Sequence, residues 1–131
     1  VMCAAVCPIM AKNRSGSIIN ITSLGAELGF PNNPSYQMSK AGLRQLTKAL
    51  ARDWGEFGIR VNNICPGYIK TAMTIKSFNN SKLNNQRSEN TLLKRWGEPE
   101  DLIGPALFLV SDASSYMTGS SLIIDGGRTA W

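Results

Sequence analysis

The sequence predicts an α/β fold built on a parallel sheet, and three observations predict it. Three short runs rich in β-branched residues, SIINIT (17–22), IRVNNIC (59–65) and SLIID (121–125), punctuate the chain. Their apolarity is nearly unbroken, the pattern of strands covered on both faces rather than of a half-wet antiparallel sheet. Between them lie stretches of helical period, and strands that alternate with helices build parallel sheets.

Taken in order, Met2, Val6, Ile9 and Met10 recur at helical spacing, so residues 2–11 are predicted helical, with turn chemistry from Asn13 to Gly16. This helix starts without a capping residue. Strand 17–22 and a Gly-containing loop follow. Asn33 then stands where a cap belongs and Pro34 at the first helical position, opening a helix whose Leu43, Leu46, Leu50 and Trp54 share a stripe until Gly55 and Gly58 end it. That stripe reads as core or as a subunit contact, and Ala41, Gly42 and Ala49 would permit close helix approach. Strand 59–65 is stopped by Pro66-Gly67. Asn62 and Asn63 at its end are expected to satisfy backbone groups of turns.

From Thr74 to Thr91 the composition turns to Asn, Ser, Lys and Gln, with Met73, Ile75, Phe78 and Leu83 as sparse apolar points. This predicts a mobile lid that covers a substrate rather than a core element. Trp96 and Gly97 frame the start of a third helix, opened by Glu98-Pro99 and running through Leu109, and strand 121–125 precedes Gly126-Gly127. Three strands are few, and Ser17–Thr22 at an open edge would be sticky. With the uncapped start, this reads as the C-terminal half of a larger domain.

Composition narrows the function. With 43% hydrophobic and 18% charged residues the chain has the make-up of one soluble globular domain. It holds no apolar run of membrane-spanning length and its first residues lack a secretory pattern, so a cytoplasmic protein is expected. Cys3, Cys7 and Cys65 form no C-x-x-C pair and histidine is absent, which argues against a Cys/His zinc site and leaves buried thiols of a reducing compartment. The net charge of +5 is spread from Lys12 to Arg128 with no basic run beyond Lys94-Arg95, so no nucleic-acid footprint is visible.

Chemistry concentrates in NPSYQMSKAG. Tyr36 and Lys40 stand at i and i+4 and share a helix face. A phenol ordinarily gives up its proton near pH 10, but a cation about 4 Å away at an effective dielectric near 20 stabilises the phenolate by about 4 kcal/mol, or roughly three pKa units. That brings a tyrosine into the range of general acid-base work. Ser23 stands thirteen residues earlier at the end of the first strand, where parallel sheets build their sites and a hydroxyl can bond a carbonyl oxygen. The turn in PGYIKTAM (66–73) could present backbone groups and the Thr71 hydroxyl to a planar amide.

The order of INITS, SYQMSKAG, RVNNICPGYIKTAM and RWGEPEDLIGPALFLVSDASSYMTGSSLIIDGG resembles the short-chain dehydrogenase/reductase family in its single-domain form, from about residue 1 to Gly127. The resemblance implies a Rossmann-type doubly wound parallel sheet, of which this chain carries the C-terminal half. It implies NAD- or NADP-dependent interconversion of a ketone and a secondary alcohol, NADP slightly favoured, and a homodimer or homotetramer. By the same resemblance Tyr36 moves the hydroxyl proton, Ser23 orients the carbonyl, and Lys40 acidifies the tyrosine and holds the nicotinamide ribose. Tyr36, Lys40, Pro66, Gly67, Ile69 and Thr71 would meet the cofactor.

The family's Gly-rich dinucleotide turn, the residue choosing NAD or NADP, the N-A-G segment and the helix asparagine would precede Val1, so residues 1–131 alone are expected not to bind the cofactor. In look the chain is nearest to members acting on sugars, polyols and sugar acids, with 3-oxoacyl thioester reductases as the alternative. A noncatalytic assembly module is the alternative of another class, and a strand followed by G-x-x-x-G-x-G upstream would decide against it.

Overall fold

The computed structural model describes residues 2–130. In chain order they form α1 (Met2–Lys12), β1 (Gly16–Ile21), α2 (Pro34–Trp54), β2 (Ile59–Pro66), α3 (Ile75–Phe78), α4 (Ser81–Glu89), α5 (Ile103–Val110) and β3 (Ser121–Ile124), with short 3₁₀ turns between them. The three strands make one parallel sheet in the order β1-β2-β3, with Gly16 opposite Ile59 and Asn63 opposite Ser121.

The central strand explains the unbroken apolar pattern. Ile59 and Val61 point to one face, where with Cys7 and Ala51 they form a core joined by Cys3, Met10, Ile18, Leu50 and Trp54. On the other face Arg60 donates to the Leu109 carbonyl at 3.0 Å and to the Ser114 hydroxyl at 2.7 Å, and Ser17 bonds the same Leu109 carbonyl at 2.7 Å, drawing α5 onto the sheet. Helices therefore cover both faces, and each fully buried aliphatic side chain contributes about 1.5–3 kcal/mol.

The Leu stripe of α2 divides. Leu50 and Trp54 pack on the core, whereas Leu46 stays 45% exposed. Gly58 has no alternative at its position: its φ is +75°, and a Cβ there would collide with the Arg14 carbonyl oxygen.

Elsewhere the structure departs from the sequence reading. Asn62 does serve a turn, donating to Met117 O at 2.8 Å and accepting from the Ser120 N–H at 3.0 Å, but Asn63 faces α2 and β3 instead. The polar stretch read as a loose lid contains α3 and α4, since the Asn80 side chain accepts from Leu83 N–H at 3.1 Å and starts a helix. Neither helix buries a side chain, so the segment remains a surface element. The third helix begins as a 3₁₀ turn over Pro99–Leu102 before α5, because the Asp101 carboxylate turns back to the Glu98 N–H at 2.8 Å.

Candidate active site

The parallel ladder brings three loop starts to one level. Thr22 N–H donates to Ile64 O at 2.9 Å and Gly67 N–H to Ile124 O at 2.8 Å, so the chain leaves β1, β2 and β3 together at their C-terminal ends. Ser23 stands just past Ile21 in extended conformation, and its hydroxyl oxygen accepts the Gly25 N–H at 3.2 Å. The hydroxyl proton has no acceptor among the described residues.

Asn33 holds the N-cap position of α2 but, against the sequence reading, its side chain makes no cap hydrogen bond; Pro34 at the first helical position starts the helix, so that Tyr36 falls in its first turn against that Ser23 turn. A Cβ built on Gly25 would lie 3.3 Å from Gln37 Cγ and 3.4 Å from Tyr36 Cε1, so glycine lets the phenol ring settle against the turn. Tyr36 keeps 37% of its surface exposed, and among the described residues its hydroxyl makes no hydrogen bond. Lys40 follows one turn later, its ammonium 5.7 Å from the Tyr36 ring centre. Its hydrogen bond goes to the Ile21 carbonyl at 2.9 Å, the last residue of β1. Lys40 thus lies over the ring while tied to the strand end that carries Ser23, and two of its three N–H groups remain for a ligand.

The second predicted segment is only partly turned outward. Gly67 passes so close to β3 that a Cβ would sit 2.7 Å from Asp125 Cα. Pro66 is half-buried, but Ile69 is buried, bridged to Gly97, with its carbonyl accepting the Thr74 hydroxyl at 2.6 Å. Thr71 is exposed, its N–H bonded to Thr74 Oγ1 at 2.9 Å and the two hydroxyl oxygens 3.2 Å apart. A ligand can therefore meet the Pro66-Gly67 edge and the Thr71 hydroxyl, not the Ile69 side chain.

Sequence reading singled out Phe78 in the lid and Trp96 before the third helix but missed Gln37, Phe30 and Tyr68, which shape the surrounding wall with them. Gln37 grips the backbone of Phe30 from both sides, accepting its N–H at 2.8 Å and donating to its carbonyl at 2.6 Å. Phe30, Tyr68, Trp96 and Phe78 then form a row of rings with neighbouring centroids 6.5, 5.8 and 5.4 Å apart, the first two contacts tilted and the last edge-on. No periodicity marks these residues, because they come from four separate segments. A cavity of about 150 Å³ lies among Ile69, Thr91, Arg95, Gly97, Ile124 and Asp125; Ser23, Tyr36 and Lys40 are not part of its lining.

Charges near this wall are arranged in pairs. Arg95 clasps Asp101 with bonds of 2.7 and 3.0 Å, and with the Glu98 N–H it holds the Asp101 carboxyl down at about 2. Arg44 Nε and Glu27 Oε1 approach to 2.8 Å off the hydrogen-bond line, an ion pair without good alignment. Burial pushes the Cys65 thiol up, so it sits as an inert apolar group under the site.

A hydroxyl donor, a phenol and an ammonium near the C-terminal ends of parallel strands form a donor set able to bond a carbonyl oxygen or ligand hydroxyls. Comparison with known proteins gives the same direction. Residues 1–129 match the family model described as enoyl-(acyl carrier protein) reductase. The chain belongs to the short-chain dehydrogenase/reductase family.

Among its relatives, the 3-oxoacyl-[acyl-carrier-protein] reductase of Chlamydia trachomatis is 47% identical over 126 residues, 96% of this chain and 50% of the relative. The galactitol 2-dehydrogenase (L-tagatose-forming) of Cereibacter sphaeroides is 40% identical over 93% of this chain and 49% of its own. A solved gluconate 5-dehydrogenase from Burkholderia cenocepacia, in complex with NADP and tartrate, superposes with a TM-score of 0.96 at 35% identity, covering 98% of this chain and 51% of that one. The chain thus spans about half the length of the curated relatives it matches, and its three-stranded sheet corresponds to half of a Rossmann-type fold.

Proposed function

We propose that these residues are the catalytic half of an NAD(P)(H)-dependent oxidoreductase that interconverts a ketone and a secondary alcohol on a sugar, polyol or sugar acid. The observation that carries this reading is the seat of the Tyr36 ring on the Ser23 turn, with the Lys40 ammonium over the ring and fastened to Ile21 O. In the reducing direction the Ser23 hydroxyl donates to the substrate carbonyl oxygen and Tyr36 Oη delivers the proton that completes the alcohol. Lys40 stabilises the negative charge left on the phenol oxygen and offers its remaining N–H groups to ribose hydroxyls.

The nicotinamide cofactor, when bound, supplies or accepts the hydride. Pro66, Gly67 and Thr71 hold its nicotinamide end, with Ile69 supporting the turn from beneath, and the pyrophosphate site lies outside residues 1–131. NADP is favoured because the gluconate 5-dehydrogenase relative was solved with it.

Exposed Met2 and Ile9 on α1 and Met38 and Leu46 on α2 support a homodimer or homotetramer formed through these helices. The free cysteines fit a reducing compartment, which we read as the cytoplasm. One finding favours a second substrate class: the 47% identity to a 3-oxoacyl reductase supports an acyl thioester.

The test is a panel of ketoses, polyols, keto sugar acids and acyl thioesters offered to the intact protein with NADH and NADPH. The reading expects cofactor-dependent turnover of a hydroxylated carbonyl compound. Turnover of acyl thioesters alone would select the second class, and no turnover of any of them would end the oxidoreductase reading.

A further inference from the structure

The ring row at the edge of the site holds a cation whose partners are aromatic. The Arg87 guanidinium, presented by α4, lies over Tyr68 at 5.1 Å and over Trp96 at 5.2 Å, while those two rings meet at 5.8 Å with a 46° tilt. Among the described residues it forms no ion pair and no hydrogen bond. Its neighbours are engaged otherwise: Arg95 with Asp101 at 2.7 Å, Lys94 with Glu89 at 3.1 Å, and Lys70 with Glu98 at 3.7 Å and over the Phe78 ring at 4.6 Å.

Stacking orients a guanidinium without consuming its N–H groups. Arg87 makes its ring contacts with no N–H group spent among the described residues, so it keeps the two-donor fork that matches a carboxylate. The row also leads to the proposed reacting centre. Gln37, the residue after Tyr36, clamps Phe30, whose ring meets Tyr68 at 6.5 Å, and Tyr68 in turn carries Arg87. Tyr68 itself follows Gly67, so the row borders the Pro66-Gly67 edge of the site, and Arg87 lies on the row's α4 side.

We propose that Arg87 reads the carboxylate of the substrate, so that the intact enzyme acts on a keto sugar acid in preference to a neutral ketose or an acyl thioester. This rests on the carbonyl-reductase reading above. Two substitutions separate charge from packing: Arg87→Lys keeps the cation and loses the flat fork, and Arg87→Met keeps an unbranched stem over the rings without charge.

In the intact protein, kcat/KM for a six-carbon keto sugar acid should fall in Arg87→Met at least tenfold further than for the neutral ketohexose of equal length. Arg87→Lys should fall between wild type and Arg87→Met. Calorimetric titration of the cofactor-free protein with gluconate should give at least tenfold weaker binding in Arg87→Met, with no such change for sorbitol. Equal losses for acid and ketose, unchanged gluconate affinity, or a wild-type preference for the thioester would overturn the proposal. Should the wild type reduce no carbonyl compound, the oxidoreductase reading falls, while the gluconate titration still decides the role of Arg87.

Discussion

The Thr47 hydroxyl of α2 lies 2.6 Å from the Asn63 side-chain oxygen of β2, and both residues are fully buried. Asn20 of β1 donates to the same Thr47 oxygen at 2.8 Å, and Asn63 passes the chain on to Ser121 of β3 at 3.1 Å. Asn20 and Asn63 are register partners, as are Asn63 and Ser121, so this polar row crosses the sheet and pins α2 above it three turns after Tyr36. The height of the helix over the strand ends, and with it the seat of Tyr36 and Lys40 beside Ser23, is fixed by directional bonds rather than by apolar packing alone.

Replacing Thr47 by Val keeps the shape and takes this partner from the buried Asn63 side-chain oxygen and the half-buried Asn20 amide. Each buried polar group left without its partner costs about 1–3 kcal/mol, so Thr47→Val should lower unfolding free energy by about 2–4 kcal/mol. Equilibrium denaturation of the intact protein measures this. A loss below about 0.5 kcal/mol would mean that the row contributes nothing.

In the proposed reaction Lys40 carries two roles in one ammonium, one toward the Tyr36 phenol and one toward ribose hydroxyls. Lys40→Met should therefore reduce kcat by about 100-fold or more and weaken cofactor binding together. Steady-state kinetics and fluorescence titration with NADPH separate the two effects. Retained cofactor affinity would remove the ribose role.

Asp101 gives the pH prediction. Its carboxyl is lowered from 3.8 to about 2, first by Arg95 and then by the Glu98 N–H, so the folded state favours the charged form. The stabilisation is present above pH 3.8 and is lost as pH falls through about 2. Carboxyl-carbon NMR should place the Asp101 midpoint near 2, and Asp101→Asn should flatten the stability profile across that window. A midpoint at the ordinary aspartate value would contradict the clasp.

Much of this architecture was legible because it depends on local pattern. β-Branched runs, the Asn33-Pro34 start of α2 and the Pro66-Gly67 stop are written in neighbouring residues, and Tyr36 with Lys40 in a helical spacing. What was not legible depends on contacts between distant segments. Whether the Lys40 ammonium goes to the phenol or to Ile21 O is settled by where β1 ends in space. Ile69 turns inward because Gly97 arrives beside it, and Asn63 faces Thr47 because of strand register. The contact of Arg87 with Tyr68 and Trp96 joins three segments that share no periodicity.

The most direct measurement is carbonyl reduction by the intact protein with Tyr36 replaced by Phe, which removes one oxygen and leaves the ring on Gly25. The account predicts a fall in kcat of about 100-fold or more, the scale of a lost general acid, with the dissociation constant for NADPH within about threefold of wild type. Turnover within tenfold of wild type, or a loss of cofactor affinity that matches the loss of turnover, would contradict it.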